Sequence, residues 1–270
     1  FGLAMADELE MDILLVHYYS KTMYANKPLV RAGDGSVKES FLRRLKDFAY
    51  PAGDGLSYPF VEPPSGVNVG YECEAAFTPS AAIIKRAQQA DIDLIVMATH
   101  TRLSPLDRWL GSTAITVSES CDRPIFLVPP NARYTPFNNI VVANHQQTAD
   151  PYPLWQLEGL VDFYGAEVHF VTVEDMEELS VARFVPWKLM EQLAHNATTK
   201  VDYTFTVSTV DEDDISEGLL EYADDISADL IVIVNQIRNR WYSLVHASLT
   251  QDLALRSRRP ILVLHTEKKR

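Results

Sequence analysis

The chain has 270 residues, 47% of them hydrophobic and 23% charged, the composition of a soluble globular protein with room for two domains that each bury a core. No apolar run approaches the roughly 18 residues of a membrane span, and the net charge of −13 argues against sequence-independent nucleic-acid binding. That charge is uneven, −3 over residues 1–135 and −10 over the remainder, so an anionic ligand meets a less hostile field in the first half. Salt screens the effect beyond about 10 Å. Cys73 and Cys121 make no disulfide framework and read as small buried hydrophobes in a reducing cytoplasm. Phe1–Leu9 lacks the basic segment and apolar core of a signal peptide.

In chain order, strand and helix alternate. Asp12–Tyr18 reads as a buried strand, Val37–Phe48 as a helix and Val67–Phe77 as a strand. Pro79–Ala90 reads as a helix with Thr78 at its N-cap and proline at its first position. Leu94–Met97 and Ile125–Val128 are continuous apolar runs, as in a parallel sheet covered on both faces. Ala49–Gly66, rich in proline and glycine, is expected to be a long surface loop, and its Gly-Asp-Gly, like that at Gly33–Gly35, a turn. The second half offers a strand at Ile140–Ala143, a helix over Pro153–Tyr164, a strand at Glu167–Val173, a helix near Pro186–Thr198 and a strand at Asp202–Val210. A further helix follows, with Asp214 and Glu217 as a capping-box-like pair and Leu219, Ala223 and Ile226 along one face. Such alternation implies parallel strands with right-handed crossovers.

Sliding the sequence by 136 positions exposes an internal repeat. Asp93-Leu94-Ile95-Val96 lands on Asp229-Leu230-Ile231-Val232, Ser112 on Ser248, and Arg123-Pro124-Ile125 on Arg259-Pro260-Ile261. The halves, 1–130 and 138–270, are expected to be one fold used twice: two open parallel sheets related by a near two-fold axis. Ile140–Ala143 has no counterpart in half one. Aligning Met11-Asp12-Ile13 with Gly165-Ala166-Glu167 places Phe1 opposite Trp155, so an opening strand and half a helix are expected to be missing from half one.

In an open parallel sheet, ligands bind outside the carboxyl ends of the strands. There half one reads Ala98-Thr99-His100-Thr101, nine residues, then Gly111-Ser112 opening a helix that includes Thr113. This spacing, the helix Thr113–Ser120 and the ending Arg123-Pro124-Ile125-Phe126-Leu127-Val128 resemble the universal stress protein family, in its bacterial-type tandem form. The family motif is Gly, two residues, Gly, nine residues, Gly, then Ser or Thr. In ATP-binding members that loop cradles phosphates: glycines let backbone N–H groups close on the anion, and the final pair adds N–H groups and a hydroxyl at a helix N-terminus.

Measured against that motif, Ala98 and Thr101 replace glycines while Gly111 and Ser112 survive. A β-branched Thr101 at positive φ is an outlier, so the loop must take another path or carry strain. Ala98, Thr99, Thr101, Gly111, Ser112 and Thr113 are thus the candidate phosphate loop, with ATP the one cofactor the resemblance suggests and no tightly held cofactor expected. In half two the same spacing gives Val234-Asn235-Gln236-Ile237, nine residues, then Ala247-Ser248, with every glycine lost. Asn144 stands where the family has a first-strand Asp, and Trp241 and Tyr242 fall within the loop. This copy is expected to be a structural half without nucleotide.

Other side chains point less sharply to chemistry. His100 and His246 sit in or beside the two loops, whereas His17, His169 and His265 fall in strands as structural, hydrogen-bonded residues. Arg102 and Arg108 read as a solvated loop face, and Asp211–Asp214 as a turn. No His or Cys set has metal-ligand spacing, and Ser112 lacks a base and acid to make it a nucleophile. Asn196-Ala197-Thr198 has a glycosylation pattern without a secretory context. The resemblance implies that two such domains pair through their last strands, Ile125–Val128 and Ile261–Leu264, within one chain or in a homodimer. It also implies a non-enzymatic regulatory or scaffolding role with an unidentified protein partner and neither nucleic acid nor membrane. An ATP switch in half one, a slow nucleotide hydrolase without a visible base, and a carrier of an apolar ligand or metal are the competing readings.

Overall fold

The computed structural model describes residues 1–19, 37–49, 64–99, 112–130, 132–143, 154–174, 205–212, 214–235 and 242–265. They form two compact units, Phe1–Gln89 and Ala90–Arg270. The fold is α/β throughout, with strands of the expected parallel type. The expected helix near Pro186–Thr198 and most of the loop Ala49–Gly66 lie outside the described residues.

The first unit holds α1 (Gly2–Glu8), β1 (Ile13–Tyr19), α2 (Val37–Ala49), β2 (Val69–Ala75) and α3 (Pro79–Ala87). β1 and β2 form a parallel pair in which Ile13 faces Val69 and Tyr19 faces Ala75. The Asp12 carboxylate fixes the start of that register by accepting from the Asn68 backbone N–H at 3.0 Å and its Nδ2 at 2.9 Å. On the far side, Arg86 Nε reaches both Glu72 carboxylate oxygens at 3.0 Å, tying α3 to β2.

The second unit is built on a seven-stranded sheet in the order β3-β4-β9-β8-β5-β6-β7. Its strands are β3 (Ile95–Ala98), β4 (Ile125–Val128), β5 (Asn139–Ala143), β6 (Glu167–Glu174), β7 (Phe205–Asp211), β8 (Leu230–Asn235) and β9 (Ile261–His265). Its helices are α4 (Ser112–Ser120), α5 (Leu154–Tyr164), α6 (Ile215–Asp225) and α7 (Tyr242–Arg256). The core runs along the sheet: every residue of β4 and β9 is buried, as are Ile140–Val142 of β5 and Leu230–Ile233 of β8. Continuous apolar runs form these strands because neighbours and helices take water from both faces.

The repeat is written into element boundaries. At the 136-residue offset β2 maps onto β7, α3 begins where α6 begins, and β3 and β4 map onto β8 and β9. β4 and β9 pair antiparallel with Phe126 opposite Leu262, Ile125 opposite Val263 and Leu127 opposite Ile261. Phe126 and Leu262 are themselves equivalent at that offset, so a local two-fold axis passes through this pair. The seam corrects one expectation. Last-strand pairing makes the two half-sheets continuous there, where two separate sheets were expected.

The break in symmetry lies elsewhere. In half two, β5 is hydrogen-bonded to β8 on one side and β6 on the other. In half one the corresponding strands fall into two groups, β3 with β4 and β1 with β2, with no described strand in the place of β5. Pairing also shifts the early alignment by one residue, since Ile13 faces Val69 where Val168 faces Phe205. α1 and α5 end alike, in a left-handed residue followed by an i→i−5 bond that satisfies a helix-end carbonyl. Glu10 (φ 52°) precedes Met11 N–H donating to Ala6 O at 2.8 Å, and Gly165 (φ 62°) precedes Ala166 N–H donating to Val161 O at 3.1 Å.

Candidate functional site

The candidate phosphate loop spans the carboxyl end of β3 to the start of α4. Ala98 is the last residue of β3, and Thr99 follows it, 1% exposed. Thr99 turns toward the neighbouring strand: its N–H donates to Val128 O at 2.8 Å and its Oγ1 lies 3.4 Å from the same carbonyl. That hydroxyl is therefore engaged inside the sheet. Ser112 opens α4, as the sequence predicts, with Thr113 next, and no acidic side chain lies in the first turn. A helix start of this kind offers unpaired N–H groups and the positive end of the dipole. His100, Thr101, Arg102, Arg108 and Gly111 lie outside the described residues.

α7 begins at Tyr242, so Ala247 and Ser248 lie inside a helix. The spacing of the repeat leads to the expectation that Tyr242 falls within the loop. That expectation is corrected. A run without glycine or proline, holding Leu, Ala and Gln, suits a helix. Interior N–H groups are used in i→i−4 bonds, so Ser248 has none to offer a phosphate. Asn235 ends β8, while Asn144, Gln236, Ile237 and Trp241 lie outside the described residues, and nothing is described of the His246 side chain.

The strand histidines are structural, each in its own way. His169 Nδ1 lies 2.8 Å from Thr206 Oγ1 and 3.2 Å from Tyr222 OH, while Ser208 Oγ lies 2.9 Å from that same hydroxyl, so a small polar network joins β6, β7 and α6. His265 Nε2 lies 2.7 Å from Ser118 O. His17 departs from the hydrogen-bonded expectation, for its buried Nε2 has no partner among the described residues and its ring packs on Phe41 at 4.7 Å. Burial holds the His17 imidazole below its usual value and raises both the Cys73 and Cys121 thiols, which keeps the thiols protonated and unreactive. Among the described residues, no group of three His, Cys, Asp or Glu could hold a metal ion, and no helix is long and apolar enough to cross a membrane.

A duplicated α/β fold thus places the candidate loop at the carboxyl end of a parallel strand. The sequence profile of the Universal stress protein family matches residues 75–129 and 136–265, well over half of the chain, which therefore belongs to that family. A universal stress protein from Archaeoglobus fulgidus DSM 4304 is similar at 14% identity, with 99% of this chain and 91% of that one covered and a TM-score of 0.61. A protein described as a candidate universal stress protein, from Pseudomonas aeruginosa UCBPP-PA14, is similar at 12% identity over 94% of this chain and 92% of that one, with a TM-score of 0.56. A universal stress protein from Archaeoglobus fulgidus in complex with dAMP covers 49% of this chain and 100% of its own, at 16% identity and a TM-score of 0.33. At such identities the first two show the fold alone. No curated protein matches the chain.

Proposed function

We propose that this universal stress protein is a non-enzymatic regulatory or scaffolding protein of the stress response, in which nucleotide binding is weak in half one and lost in half two. The halves of the function are the halves of the repeat, 1–130 and 138–270. The observation that carries the reading is the fate of the two loops: Ser248 lies within α7, and the Thr99 hydroxyl beside Ser112's loop is turned into the sheet. Two glycines are absent from the first loop and all three from the second. A hydrogen bond to a charged group is worth roughly 1.5–3 kcal/mol. Forfeiting one or two weakens phosphate binding by about tenfold to more than a thousandfold.

Pairing of β4 with β9 supports a pseudo-dimer made by one chain, in which a second copy is not needed to cover those edges. Two free cysteines accord with a reducing cytoplasm. A second reading, an ATP switch in half one, is favoured by the start of α4 at Ser112 with no acid in its first turn. Calorimetric titration of the whole chain with ATP, beside a Thr101→Gly variant, separates the two. The expected result is no saturable micromolar binding by the parent and a gain in the variant. Micromolar binding by the parent with no gain from Thr101→Gly would establish the switch.

A further inference from the structure

The seam between the halves contains one polar tie that the repeat does not explain. His265, the last residue of β9, is 2% exposed, and its Nε2–H donates to the Ser118 carbonyl at 2.7 Å. Ser118 is itself fully buried, in the last turn of α4. The imidazole thus ties β9 to the last turn of a helix in the opposite half. At the 136-residue offset His265 corresponds to Pro129 and Ser118 to Ala254, so the mirror-image tie cannot form. The other imidazole nitrogen, Nδ1, is buried with no hydrogen-bond partner among the described residues.

We propose that His265 is an acid-sensitive latch: neutral, it ties β9 to α4 across the seam, and protonated, it loosens β4 from β9. Protonation adds a donor at Nδ1 with no acceptor to receive it and places a charge in the seam, and both costs fall on the closed form. Burial disfavours the charged form most strongly; the bond to Ser118 O, and then Asp122 after α4, oppose this by favouring it. β4 and β8 contribute no charged group, Glu119 on α4 and the Cys121 thiol are held in their neutral direction by burial, and on α7 Asp252 and Arg256 pair with each other at 3.9 Å. Burial outweighs Asp122, and the imidazole sits below its ordinary value. The stability it contributes is therefore full above the ordinary imidazole range and lost as pH falls through the lower folded value. This inference concerns the seam alone and does not depend on whether either loop binds nucleotide.

The test is hydrogen exchange of the whole chain at pH 7.5 and 5.5, corrected for intrinsic rates and read on the peptides that contain β4 and β9. Once pH is below the folded value, each unit of depression is worth about a tenfold change in opening. The parent is expected to lose protection at the seam on that order, whereas His265→Gln, whose amide can still donate to Ser118 but cannot titrate, is expected to be flat. His169→Gln is expected to keep the parent's seam response. A parent whose seam protection ignores pH, or a His265→Gln variant that responds as the parent does, overturns the latch. Should that variant not fold, magnetic resonance of the parent's imidazoles decides: an Nε2–H tautomer with a depressed midpoint supports the latch, and an ordinary midpoint for His265 removes it.

Discussion

β3 and β8 are the same strand written twice, Leu-Ile-Val after an aspartate, yet they live in different surroundings. Val232 of β8 is fully buried, with β9 on one side and β5 on the other, whereas its equivalent Val96 in β3 is 40% exposed, with β4 as its one described neighbour. The sequence of a strand sets its capacity for burial, and its neighbours decide how much is realised. Where a strand has one described neighbour, the hydrophobic contribution of its apolar residues is only partly realised. The same contrast runs through the helix caps and loops, so equivalent substitutions in the two halves give direct tests of it.

The largest difference is expected at Ile231 and Ile95, which correspond at the 136-residue offset. Ile231→Ala removes a fully buried side chain and is expected to cost about 2–5 kcal/mol in urea denaturation. Ile95→Ala, at a half-buried position, is expected to cost less than half as much. Equal costs would mean that β3 is as well enclosed as β8.

A smaller difference is expected at the equivalent N-caps. The Asp214 carboxylate accepts from Glu217 N–H at 3.0 Å, while Thr78 makes no side-chain cap bond to α3. Asp214→Ala is expected to cost about 1 kcal/mol and Thr78→Ala a few tenths. The bond from Glu217 N–H, followed by the charge of Arg256, holds Asp214 below its ordinary value. Its contribution is thus present above the ordinary aspartate value and lost as pH falls through the folded one, so the gap between the two variants should close in acid.

The smallest is expected at Arg256, which reaches Asp214 and Glu217 at 3.2 Å and has Ser120 as its equivalent. These partners are about half exposed, so Arg256→Ser is expected to cost less than about 1 kcal/mol, and less still in high salt.

Much of this was legible in the residues. The repeat, the strand at each apolar run and the Asp214 cap follow from short-range patterns or from one offset applied twice, and the last-strand pairing from the family resemblance. What escaped has a common cause. A one-residue shift between β1 and β6 is set by which neighbours pair, and the tie from His265 to Ser118 spans 147 residues. The helical state of Tyr242, expected within a loop, reflects local helix propensity. At the candidate loop, the helix start at Ser112 could be read from Gly-Ser after an irregular stretch, whereas the inward turn of Thr99 could not, because a hydroxyl's partner is decided by the sheet beside it.

Amide hydrogen exchange on the whole chain measures the inequality of the copies most directly. Ile95 N–H donates to Pro124 O at 2.9 Å and Thr99 N–H to Val128 O at 2.8 Å, both on the β4 side, so those of Val96 and Ala98 point to the opposite edge of β3. In β8 the Ile231 N–H donates to Pro260 O at 3.2 Å, which turns that of Val232 toward β5. The expected result is strong protection at Val232 and rapid exchange at Val96, with protection at Ile95 between them. Equal protection of Val96 and Val232 would contradict the view that β3 is the less enclosed of the two equivalent strands.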